Sequence, residues 1–139
     1  MKVSTKGRYA LRLLLDIGAQ EKICPGCVSL SEVAERQNIS KKYLEQIATS
    51  LTRAGILKVV RGAKGGYRLT RPLEEITMGE VLRVMEGSLA PVPCVGEDSS
   101  LCDNCDAGCK MHPVWAGLGE LIAGYVDSIN LQQILEQGE

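Results

Sequence analysis

Residues 29–69 constrain the fold most, because two short amphipathic helices are followed there at once by a Gly-rich hairpin tipped with Arg and Lys. Ser29 and Glu32 stand at capping-box spacing, where a hydroxyl and a carboxylate satisfy orphan N–H groups at a helix start. Leu30, Val33 and Ala34 form the inward stripe of that helix, and Asn38 is its stop. Another helix opens at Ser40 and runs to Gly55, with Leu44, Ile47, Ala48 and Leu51 turned inward and Lys41, Lys42, Tyr43, Glu45, Gln46 and Arg53 turned elsewhere. Leu57 and Val59 then alternate with outward positions, Arg61-Gly62-Ala63-Lys64-Gly65-Gly66 breaks the chain, and Tyr67 and Leu69 alternate again, which predicts a β-hairpin. Two helices across a tight turn with a basic hairpin behind them make a winged helix-turn-helix. In such a unit the second helix enters a major groove and the wing reaches the neighbouring backbone or minor groove. The glycines permit positive φ at the wing tip and close approach to phosphates.

The rest of the chain predicts a mainly α protein. Ala10, Leu13, Leu14 and Ile17 fall at helical spacing within Ser4–Gln20, with Leu11 and Leu15 widening the apolar face until Gly18 weakens it. Thr77 and Glu80 form a second capping-box pair ahead of Val81, Leu82, Val84 and Met85, and Gly87 ends that helix. Pro113 suits the first turn of a long final helix whose Trp115, Leu118, Ile122, Tyr125 and Ile129 are spaced 3, 4, 3, 4, a narrow seam that predicts a homodimer. Asn130 with Gln133 caps a short terminal helix. Phe is absent and aromatics are 4%, so Leu, Ile, Val and Ala must build the core. The expected division is a DNA-binding unit over 1–87, a cysteine-rich loop over 88–112, and a dimerisation helix with tail over 113–139.

Charge and cysteine usage narrow the function. Residues 1–72 hold 14 Lys and Arg against 5 Asp and Glu, whereas residues 73–139 hold 2 against 12, so halves of +9 and −10 hide inside a net charge of −1. A basic half within a neutral protein is the footprint of a phosphate-binding surface, although a merely solvated surface has the same charge. The longest apolar run, Leu13–Ile17, is flanked by Arg12 and interrupted by Asp16, far short of the roughly 18 residues that cross a bilayer. The same charges disfavour a signal peptide, and the expected location is the cytoplasm, where six cysteines point to metal or redox chemistry before structural disulfides.

Five soft or borderline ligands lie in the pattern Cys94-x7-Cys102-x2-Cys105-x3-Cys109-x2-His112, on a Gly- and Asp-rich stretch able to wrap an ion. Scattered reduced thiols would sit singly at apolar core positions instead. Spacing alone leaves a zinc site and an iron–sulfur cluster both open. Cys24-x-x-Cys27 is a separate pair, either redox-active, half a zinc site, or without function. A lone histidine among thiols, without a phosphate loop, carboxylate pair or nucleophile–base arrangement, argues against an enzyme.

Three stretches together resemble the Rrf2 family of bacterial regulators, which includes the IscR, NsrR and CymR types. They are the opening Met1-Lys2-Val3-Ser4-Thr5-Lys6-Gly7-Arg8-Tyr9-Ala10, the segment Ser40-Lys41-Lys42-Tyr43-Leu44-Glu45-Gln46, and the run from Arg61 to Tyr67. The resemblance spans nearly the whole chain and implies a winged helix with a long dimerisation helix. It further implies that Ser40, Lys42, Tyr43 and Gln46 face bases or phosphates in the major groove, and that Arg61 enters the minor groove. Lys2, Lys6, Arg8, Lys41 and Lys64 suit phosphates, where compact charge suffices. Glu45 could accept from a cytosine amino group, penalise wrong sites by repulsion, or pair with a nearby Lys.

For the metal, resemblance to the IscR type implies a 2Fe–2S cluster on Cys94, Cys102, Cys109 and His112. Two departures stand beside it: the first interval has seven residues, as in the nitric-oxide sensor type, and Cys105 is an additional thiol that could replace His112 or belong to a 4Fe–4S form. The expected function is that of a homodimeric, cluster-dependent repressor on an imperfectly palindromic double-stranded operator, controlling iron–sulfur or cysteine and redox genes. The alternatives are a zinc- or thiol-dependent regulator acting through a protein partner, as in the CymR type, and a nitric-oxide sensor of the NsrR type.

Overall fold

A computed structural model describes residues 2–96 and 109–138. Its centre is helix α1, Thr5–Ile23, whose Ala10, Leu13, Leu14 and Ile17 are wholly buried. The Ser4 hydroxyl caps it by accepting from Gly7 N at 3.1 Å. The helix runs through Gly18 without breaking: that glycine is buried, and a Cβ there would collide with the Leu73 side chain, so close packing is what it permits.

Helices α2, Leu30–Gln37, and α3, Lys41–Arg53, pack on α1 and on each other. The turn between them is set by Asn38, which adopts φ 55° and ψ 49° and so reverses the chain in the left-handed conformation that Asn tolerates. The Ser29 and Ser40 side chains accept from Glu32 N at 3.3 Å and Tyr43 N at 3.2 Å, so both predicted starts are real caps. Asp16 of α1 is buried and accepts from Arg36 Nε and Nη2 and from Gln37 Nε2, which locks the end of α2 to the middle of α1.

The predicted hairpin consists of β1, Leu57–Val60, and β2, Gly66–Leu69, antiparallel with Leu57 opposite Leu69 and Val59 opposite Tyr67. Leu57 and Leu69 are buried, but Val59 is 51% exposed, so the inward face ends after one residue on β1. A feature absent from the sequence reading is an isolated bridge between Val28 and Tyr67, with Tyr67 N donating to Val28 O at 2.8 Å and Val28 N to Tyr67 O at 2.9 Å. The segment before α2 thereby flanks the hairpin as a short extra strand.

Helix α4, Met78–Glu86, is capped by Thr77, which accepts from Glu80 N at 3.1 Å. The Glu80 carboxylate does not return the favour but pairs with Arg71, so the capping box is half made. Helix α5, His112–Asp127, carries Pro113 in its first turn as expected. Helix α6, Leu131–Gln137, opens with a complete Asn130–Gln133 capping box and packs against α1 and the 3₁₀ turn Leu73–Glu75. Leu131 joins the main core, while Leu82, Leu89 and Val126, with Ile122 beside them, make a smaller cluster between α4 and α5. Among the described residues no helix is long and apolar enough to cross a membrane.

Candidate nucleic-acid interface and cysteine-bearing turn

The first turns of α1 and α3 meet through an edge-to-face contact of Tyr9 and Tyr43, with ring centroids 5.7 Å apart. Arg12 stacks over Tyr9 at 5.4 Å and donates to Gln37 O at 2.6 Å, fixing the same corner. Tyr43 is therefore half-buried, with its ring committed to packing on α1. Lys2, Arg8, Ser40, Lys41, Lys42, Glu45 and Gln46 are exposed, and Lys6 is half-exposed. Ser40 Oγ accepts from a backbone amide as the α3 cap, which leaves its O–H free to donate. Arg8 Nη2 donates to Thr5 Oγ1 at 3.0 Å, which holds the guanidinium along the first turn of α1.

The ion pairs formed among the described residues are Asp16–Arg36, Arg71–Glu80 and Arg83–Asp127. None takes up Lys2, Lys6, Arg8, Lys41, Lys42, Arg61 or Lys64, so these cations remain uncompensated by carboxylates of the described chain. Glu45 likewise makes no ion pair with Lys41 or Lys42. Arg61 and Lys64 are exposed at the hairpin tip, where Gly62 takes φ +120°, a conformation that favours glycine.

Glu86 is a functional neighbour that sequence reading missed. Its carboxylate accepts from both Ser4 N at 3.0 Å and Ser4 Oγ, and so supplies the negative charge that the first turn of α1 lacks. The partners are 82 positions apart, so no local motif marks them. This contact joins the basic N-terminal segment to the end of α4, one residue before the chain leaves for the cysteine region.

Cys94 lies in a 3₁₀ turn, Pro93–Val95, that packs against α5 and leaves the thiol half-buried. Cys109 is exposed, and its carbonyl accepts from His112 N at 3.3 Å, so Cys109 and His112 share one turn at the start of α5. Cys102 and Cys105 lie outside the described residues. Among the described residues no three metal-ligating side chains converge. The donors are nevertheless of the right kind: Cys94 and Cys109 are free thiols, and an imidazole three positions past a thiol suits a soft or borderline metal centre. A cavity of about 700 Å³ opens beside the Cys94 turn, lined by Leu89, Val95, Gly119 and Glu120 among others.

Helix α5 also presents an apolar stripe to solvent. Val114, Leu118, Leu121 and Tyr125 are spaced 4, 3, 4, with Leu121 73% and Tyr125 66% exposed. The stripe is rotated from the one read in sequence: Trp115, Ile122 and Ile129 are half-buried, whereas Leu121, omitted from that reading, is the most exposed of the new set.

A family model described as an iron-dependent transcriptional regulator, Rrf2, matches residues 3–137. IscR of Aliivibrio salmonicida, a helix-turn-helix transcriptional regulator, is 37% identical over 143 aligned positions, covering 100% of this chain and 80% of its own. Two solved structures are similar throughout. T. potens IscR has a TM-score of 0.77 at 37% identity, covering 100% of this chain and 89% of its own. CymR, the global cysteine regulator of B. subtilis, has a TM-score of 0.80 at 31% identity, covering 99% and 98%. These relatives are named as regulators rather than as enzymes. With a helix-turn-helix and wing in place and a family match along nearly its whole length, the chain belongs to the Rrf2 family of transcriptional regulators.

Proposed function

We propose that the chain is an IscR-like, DNA-binding homodimer whose operator affinity depends on a 2Fe–2S cluster held by Cys94, Cys102, Cys109 and His112. The observation that carries this reading is the turn joining Cys109 to His112 at the head of α5, with the Cys94 turn packed against the same helix. When bound, the cluster supplies a one-electron couple and sensitivity to oxidants at that turn. The chain's own residues do the rest. Ordering of the ligand turn fixes the start of α5, and α5 in turn carries the stripe through which two copies pair, setting the angle between the two winged units. The uncompensated cations near α1, α3 and the wing then meet phosphates on two half-sites of an imperfect palindrome, about 34 to 36 Å apart. The regulator acts in the cytoplasm as a repressor of iron–sulfur or cysteine and redox genes.

A second reading follows from the likeness to CymR: the same fold regulating through thiols and a protein partner, without a cluster. Protein purified without oxygen distinguishes them. A visible absorption spectrum with matching iron and sulfide, and an operator affinity that changes when the cluster is removed, is the expected result. Colourless protein that takes up no iron on reconstitution, or identical operator affinity with and without the cluster, overturns the first reading in favour of the second.

A further inference from the structure

The hairpin carries a second pair of cations behind its tip. Side chains alternate along β1 and β2, with Leu57 and Leu69 turned into the core and Lys58 and Arg68 exposed on the opposite face. The register sets Lys58 directly opposite Arg68. Tyr67 N donates to Val28 O at 2.8 Å and Leu69 N donates to Glu21 Oε1 at 3.0 Å, so both amides point away from β1. By alternation Arg68, between them, turns its backbone toward Lys58, and residues paired in this way have Cα atoms about 5.5 Å apart.

Like charges placed directly opposite each other on a sheet destabilise it. Here neither cation joins any of the ion pairs formed among the described residues, so no carboxylate relieves the repulsion. The base of the hairpin is also held from three sides. Val28 flanks β2, Glu21 takes the Leu69 amide, and Leu57 and Leu69 sit in the main core. A firmly seated ladder therefore presents an ammonium and a guanidinium side by side. The first is a compact charge and the second a planar fork of donors, a combination that suits one phosphate with several oxygens to share.

We infer that Lys58 and Arg68 together clamp one phosphate of a DNA backbone at the base of the wing, a contact distinct from those of the tip. This rests on the reading of residues 61–66 as a DNA-contacting wing. Lys58 precedes Arg61 by three residues, about 10 Å of extended chain. That length spans about three nucleotides of a strand at 3.4 Å each, so a duplex that meets the tip has backbone within reach of the pair. The clamp reads no base, and it strengthens binding to every sequence alike.

The test uses the full chain and a long-flanked duplex that the chain has itself selected from a random-sequence pool. For Lys58→Gln with Arg68→Gln, the slope of log affinity against log salt should become shallower by about 0.9 for each chain bound. The variant should select the same sequence, and phosphate-ethylation interference should lose one backbone position per bound chain. The exchange Lys58→Arg with Arg68→Lys keeps both charges on the same ladder and should keep the slope and the interference pattern. An unchanged slope and pattern in the glutamine variant, or an equal loss in the exchanged one, overturns the clamp. Arg61→Ala separates this result from the reading beneath it. Weakened binding there, beside an unchanged glutamine variant, overturns the clamp and leaves the wing reading in place. Unchanged affinity and sequence preference in Arg61→Ala, while the glutamine variant loses its phosphate, upholds the clamp and overturns the tip as a reading element.

Discussion

Asp16 shows how far one residue can differ from its appearance in the sequence. In the sequence it is a charge interrupting an apolar run. In the fold its side chain is 4% exposed and takes hydrogen bonds from Arg36 and Gln37, which hold α2 against α1. The hydrogen bond to Asp16 raises the Arg36 pKa above its ordinary value. Asp16→Ala leaves three donor groups, on Arg36 and Gln37, without their acceptor, and we expect it to lower the unfolding free energy by about 2 to 3 kcal/mol, the scale of hydrogen bonds to charged groups. Urea unfolding of the variant checks this; a loss below about 0.5 kcal/mol would mean that solvent replaces the carboxylate. Asp16 and Glu86 were illegible for the same reason: each acts on a partner far away in sequence, and local spacing carries no trace of such pairs. The caps at Ser29, Ser40 and Asn130 were legible because cap and amide lie within one turn.

At the scale of elements, periodicity located the helices but assigned their faces less well. The α5 pattern allowed two neighbouring stripes, and only the packing of Ile122 and Val126 toward Leu82 shows which one is left outside. The proposed ligands stand out in the sequence as a cluster of residue types, and Cys102, one of them, lies outside the described residues. The seam between α4 and α5 is fastened by Arg83, which donates to both carboxylate oxygens of Asp127 at 2.6 and 2.9 Å. That hydrogen bond holds the Asp127 carboxyl below its ordinary pKa. A carboxylate depressed in the folded state stabilises the fold above its unfolded pKa of about 3.9, and the contribution fades as pH falls through the lower, folded value. Carboxyl-carbon NMR should place the Asp127 midpoint below that of an ordinary Asp. Because the pair is exposed, Asp127→Asn should cost no more than about 1 kcal/mol at neutral pH.

For the whole molecule, the division of charge and the exposed stripe make linked predictions. Leu121→Glu places a charge on the most exposed apolar position of α5 without touching the core, so it should convert the proposed dimer to monomer while leaving the fold intact. Sedimentation equilibrium reads the first effect and circular dichroism the second. In the proposed dimer each copy contributes its own set of phosphate contacts, so the slope of log affinity against log salt should fall to about half in the variant. A variant that remains dimeric would place the pairing surface elsewhere.

Among the described residues the two ends of α5 meet different surroundings. Near its C-terminus Val126 is buried, Asp127 pairs with Arg83, Met78 N donates to Ile129 O at 2.9 Å, and Leu131 N donates to Ile76 O at 2.9 Å. Near its N-terminus Met111 and Val114 are exposed, a cavity lies alongside, and the Pro93–Val95 turn packs against the helix. The helix is about 24 Å long, at 1.5 Å per residue, and His112 stands at the end farthest from the Arg83–Asp127 pair. Over that length a tilt of about 5° about the Asp127 end would carry His112 by about 2 Å.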